Sequence, residues 1–224
     1  MKQHRYSFAL CLITAASTLF CLMANLISGR VGYFGPWIAP MGVFFFPIIY
    51  VLSDVTSDVY GYRTSRYVAW WTNICNVFFV VGILLVVIFN KPAPWSIESD
   101  KAIKLLLIGS DGAVGMVRII AAGVMGAFLG GWTNDIVFQI FRHRDGVAKF
   151  YRRKLASSLV AEIVDTAVFI TLGFIGTPAW SIAMYLVQFV LKYTVEVITS
   201  PVSKLLADKI RKIEGTDVFE DRRI

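Results

Sequence analysis

The residues best suited to chemistry come in pairs about one helical turn apart. Asp54 and Asp58 lie in FPIIYVLSDVTSDVYGYRTSR, Glu162 and Asp165 in SSLVAEIVDTAVF, and Lys192 and Glu196 in KYTVEVITSP, with Gln188 one turn before the lysine. A spacing of three or four puts each pair on one helix face. All lie in or beside apolar stretches, where an ionisable side chain costs about 2.5 to 3.5 kcal/mol at the bilayer centre unless it is paired or hydrated. Arg118, Asn73, Asn76 and Asp135 are placed similarly. Such groups either neutralise one another, Lys192 with Glu196 and Arg118 with a carboxylate such as Asp165, or line a wet site that grips a solute. A buried ion pair often contributes less to stability than apolar packing of equal volume. A solute site is therefore the better account of Glu162, Asp165, Arg118 and Lys192.

General acid–base work by Glu162 and Asp165 is the competing chemistry. The sequence offers it little support, because the only histidines, His4 and His143, fall in polar segments, and HExxH, GxSxG and a phosphate-cradling glycine loop are absent. The glycines of GSDGAVG precede a helix with no strand before them, a weak dinucleotide signal. Cys11, Cys21 and Cys75 lie in apolar runs without paired ligand spacing and read as packing residues. No catalytic residue, metal or cofactor is expected.

The elements that must position these side chains follow from composition. A chain of 224 residues that is 57% hydrophobic and only 17% charged cannot hide its apolar surface in one water-soluble core. Six stretches approach the 20 or so residues that cross a hydrocarbon layer: 7–27, 41–60, 67–89, 113–141, 155–175 and 180–206. The fold expected is all-α, a single polytopic membrane domain over 1–224. The first stretch is too long for a signal-peptide core and lacks an A-x-A cleavage site, so it reads as a retained span. Between the third and fourth spans, KPAPWS interrupts helix, and Ser96 is a candidate cap for a short surface helix over IESDKAIKLLLIG.

Basic residues set the orientation. With the amino terminus inside, 16 lysines and arginines fall in cytoplasmic segments and four, Arg30, Lys91, Lys101 and Lys104, outside. Both termini, including the tail 207–224, are expected in the cytoplasm. The net charge of +7 is then explained by topology and anionic lipid, without a nucleic-acid groove. Asp135 lies near the basic run after Phe141, and its place in the pathway stays open.

FPIIYVLSDVTSDVYGYRTSR closely resembles the F-P-x-x-Y-x-x-x-D-x-x-x-[DE]-x-Y-G signature of the queuosine precursor transporter family, also described as the vitamin uptake transporter family. RIIAAGVMGAFLGGWTNDIVFQIFR is similar to that family's arginine-started helix, SSLVAEIVDTAVF to its S-[ST]-L-x-x-x-x-x-D-[ST]-x-x-F element, and KYTVEVITSP to its K-x-x-x-E-x-x-x-x-P element. The likeness spans about 44–206. Glu162 departs from it, standing where the family often carries an amide such as Asn or Gln.

The resemblance implies import of 7-cyano-7-deazaguanine, 7-aminomethyl-7-deazaguanine or both across a bacterial cytoplasmic membrane. Glu162 or Asp165 would accept the N–H edge of the base, and Arg118, Lys192, Asn73 or Asn76 would donate to its carbonyl. Phe45, Phe46, Tyr50 and Trp71 are the candidate stacking rings, with Gln188 in the same polar set. Asp54 would line the inner pathway. Asp58 would anchor its exit through a basic residue such as Arg153, with Glu196 in a similar ion-pair role. The resemblance also implies a compact bundle like the substrate subunits of energy-coupling-factor importers. A self-contained carrier, favoured as a homodimer, an ATPase-dependent substrate subunit and a membrane enzyme are the three function classes.

Overall fold

The computed structural model describes residues 7–110, 113–145 and 150–214. In chain order they form α1 (Phe8–Ser28), β1 (Val31–Phe34), β2 (Trp37–Pro40), α2 (Phe46–Tyr60), α3 (Tyr62–Phe89), α4 (Ile97–Ile108), β3 (Gly109–Ser110), β4 (Ala113–Val114), α5 (Met116–Asp145), α6 (Phe150–Phe174) and α7 (Ile182–Glu214). A 3-10 turn, Met41–Phe45, leads directly into α2. Six helical segments are long and apolar enough to cross a membrane, and they correspond to the six expected stretches. Large apolar side chains such as Leu12, Phe78, Val86, Ile182 and Val190 point outward, as they must where the surrounding solvent is hydrocarbon.

Local sequence explains where the helices begin and break. The Ser7 hydroxyl accepts the Leu10 amide at 3.0 Å and caps α1. Pro47 sits in the first turn of α2, where its missing N–H leaves no helical bond unmade. Gly61 alone separates α2 from α3, at φ +86 and ψ 163, a conformation that side chains with a Cβ resist. The connection expected as far as residue 66 is thus one residue long.

Packing divides into two extensive helix pairs, α5 with α6 and α2 with α7; α6 meets α7 less extensively. Ile119 and Ala122 of α5 pack with Phe169, Ile170 and Phe174 of α6 and Met184 of α7. Val55 and Val59 of α2 pack with Ala207 and Ile210 of α7 and Ile13 of α1. Along α5, Gly126 and Gly130 allow the close approach: a Cβ at 126 would lie 2.6 Å from Asp165 Oδ1, and one at 130 would lie 3.0 Å from Asp165 Cβ.

Three further features differ from the sequence reading. The segment after α1 is an antiparallel hairpin, Phe34 pairing with Trp37 across Gly35 and Pro36. Ser96 precedes α4, but its hydroxyl donates to the Ala93 carbonyl at 3.0 Å, so it does not cap through its side chain. Finally, α7 continues beyond 206 to Glu214.

Candidate solute-binding site

Lys192, on α7 and 5% exposed, joins the two helix pairs. Its Nζ lies 2.6 Å from Asp165 Oδ2 and 2.9 Å from Glu162 Oε1, both on α6. The same ammonium stands 5.1 Å from the centroid of the Phe46 ring of α2, a cation–π distance. Tyr50, one turn further along α2, donates its hydroxyl to Glu162 Oε1 at 3.4 Å, and the Thr166 hydroxyl donates to the same oxygen at 3.3 Å. Glu162, Asp165, Lys192, Phe46 and Tyr50 therefore converge from α2, α6 and α7. Thr166 was absent from the sequence reading; its signal is its position one turn after Glu162.

Gln188 shares the Lys192 face of α7 and is fully buried. Neither its Nε2 nor its Oε1 makes a hydrogen bond among the described residues. Burying an amide without partners costs roughly 1 to 3 kcal/mol, so such a group calls for a functional account. The site thus offers an amide, an ammonium, two carboxylates and aromatic faces within a few turns of helix.

The remaining candidates lie elsewhere. Arg118 donates through Nε to the Leu172 carbonyl at 2.8 Å and through Nη2 to that of Ile175, satisfying the terminal carbonyls of α6. It does not pair with Asp165. Lys192 likewise reaches across to α6, whereas the sequence spacing suggested Glu196; that residue is half-buried one turn further along α7.

Asn76 is fully buried, accepts from Asn25 at 2.7 Å and donates to the Thr72 carbonyl at 2.8 Å, which ties α1 to α3. Asn73 donates to the Ala69 carbonyl at 2.9 Å and lines an open groove of about 460 Å³ with Arg66, Trp70, Phe128 and Trp132. That groove lies against a different face of α5 from Gly126 and Gly130. Phe45 packs near Phe20, with ring centroids 6.4 Å apart, and Trp71 is exposed.

Towards the other end of the α2–α7 pair, Asp54 accepts from the Ser203 hydroxyl at 3.2 Å. Asp58 pairs with Arg211 at 2.7 Å, and Arg211 also donates to the Asp58 carbonyl at 3.0 Å. Both side chains of that bridge are partly exposed, so it contributes little energy while fixing α7 against the end of α2. Arg211 thus occupies the place suggested for Arg153. The side chains of Arg153 and Asp135 lie outside the described residues.

A family model described as "Putative vitamin uptake transporter" matches residues 40–206, a range that includes every side chain around Lys192. No curated protein and no solved structure matches the chain.

Proposed function

Because the chain belongs to the vitamin uptake transporter family, we propose that it is a carrier rather than an enzyme and imports 7-deazaguanine precursors of queuosine across the bacterial cytoplasmic membrane. The cargo would be the 7-cyano form, the 7-aminomethyl form or both, moved by alternating access, with both termini of the carrier in the cytoplasm. The observation that carries this reading is the buried Gln188 beside the Lys192 cluster, whose amide has no partner among the described residues.

A side-chain amide sets an N–H donor next to a C=O acceptor. A guanine-type lactam presents the complement, a carbonyl beside a ring N–H. Gln188 would read that edge with two hydrogen bonds. Asp165 would accept from the exocyclic amine, and Phe46 or Tyr50 would cover a ring face. Access follows from the helix pairing. The cluster spans the less extensive α6–α7 contact, so movement of the α5–α6 pair against the α2–α7 pair would open it to either side.

The test is uptake by purified protein in liposomes, comparing 7-cyano-7-deazaguanine, 7-aminomethyl-7-deazaguanine, guanine and queuine. Saturable uptake of at least one 7-deazaguanine precursor is expected. In Gln188→Leu that uptake falls about ten-fold or more, equivalent to two lost hydrogen bonds, while the melting temperature holds or rises. Absence of saturable uptake, or uptake unchanged in the variant, overturns the reading. Uptake that appears only with an added ATPase partner assigns the chain to the substrate-subunit class instead.

A further inference from the structure

We infer that Glu162 makes this carrier select a positively charged cargo, favouring the aminomethyl form of 7-deazaguanine over the neutral cyano form. The inference rests on the reading above that a 7-deazaguanine is the cargo, and adds which one and why. Its basis is the charge balance of the cluster. Two carboxylates, Glu162 and Asp165, share one ammonium, Lys192, at 2.9 and 2.6 Å. Their formal charges leave one negative charge in excess.

Among the described residues, no second cation stands against either carboxylate. Tyr50 and Thr166 supply neutral hydroxyl donors to Glu162 Oε1. Arg118 begins the same stripe of α5 as Gly126, but eight residues before it, roughly 12 Å along the helix axis, and is engaged by the α6 carbonyls. The next ionisable group on that face of α7, Glu196, is another carboxylate. Among the described residues, no other lysine or arginine forms an ion pair with Glu162 or Asp165.

An uncompensated charge is poorly tolerated in a low-dielectric interior, and a ligand that brings the opposite charge gains what the protein withholds. The Gln188 amide, without a partner among the described residues, points to a ligand on this same face of α7. It reads the lactam edge common to both precursors and therefore does not distinguish them. Discrimination falls to the charge at the 7-substituent. An alkylammonium there can donate charge-assisted hydrogen bonds to a carboxylate oxygen, whereas a nitrile is an acceptor and meets that oxygen lone pair to lone pair.

The experiment is equilibrium binding of 7-aminomethyl-7-deazaguanine and 7-cyano-7-deazaguanine to the full-length protein in detergent micelles, with Glu162→Gln and Glu162→Asp beside the wild type. The wild type is expected to bind the aminomethyl compound about ten-fold or more tightly than the cyano compound. In Glu162→Gln, Lys192 retains Asp165 as its counter-ion, so the fold persists, and the preference collapses to about two-fold or less. Glu162→Asp keeps the charge and the preference, which separates charge from packing. Equal affinities in the wild type, a cyano preference, or a preference that survives Glu162→Gln overturns the inference while leaving the 7-deazaguanine reading intact. Binding of neither compound to folded protein overturns both.

Discussion

Lys192 holds the charges of the site together, because it faces two carboxylates and an aromatic ring while almost wholly removed from solvent. Removing one member of such a buried set leaves like charges without a counter-ion. Lys192→Met is therefore expected to lower stability by about 3 to 5 kcal/mol, read as a fall in thermal unfolding temperature in detergent. Gln188→Leu should do the opposite, since it deletes an amide that no described residue satisfies. A stable Lys192→Met protein would mean that the triad is not held as a unit. Helical spacing made the shared face of Gln188, Lys192 and Glu196 legible, and the pair Glu162 and Asp165 likewise. It could not reveal that Lys192 reaches across to α6, or that Arg118 turns to backbone carbonyls, because partners between helices depend on which faces the bundle brings together.

At the scale of the element, the glycines of α5 separate packing from mere helix content. Gly126→Ala would set a methyl 2.6 Å from Asp165 Oδ1, so α6 must shift or Asp165 must leave Lys192. A loss of about 1 to 3 kcal/mol in stability is expected, together with weakened ligand binding. Gly131→Ala, where a Cβ meets nothing within 4 Å, should hold or gain stability by up to about 1 kcal/mol through helix propensity. Equal effects of the two substitutions on unfolding would discount close α5–α6 contact. Gly61→Ala, which forces a Cβ into φ +86, is expected to cost about 1 to 3 kcal/mol by the same measurement. Apolar run length made the six spans legible. The β1–β2 hairpin was also written in the sequence, in β-forming residues flanking Gly35 and Pro36, but there the hydrophobicity resembles the end of a span more than a turn.

For the molecule as a whole, the distribution of lysine and arginine predicts a sidedness that fusions can read. A fluorescent protein joined after residue 224 is expected to fold and fluoresce, and an alkaline phosphatase joined there to stay inactive, as both behave on the cytoplasmic side. The reverse pattern would invert the topology and with it the direction assigned to Asp54 and Asp58. The division of the bundle into α2–α7 and α5–α6 pairs was not legible beforehand, since every span is apolar enough to face either lipid or protein.

Lys192 is rooted in one helix pair and its counter-ions in the other, so the side chains that would hold cargo also act as a latch between two halves of the carrier. A guest that draws the carboxylates towards itself slackens that latch. On the cargo reading proposed above, the vacant carrier is expected to be the stiffer form and the laden one the more pliant, so that arrival of the passenger itself unlocks the door.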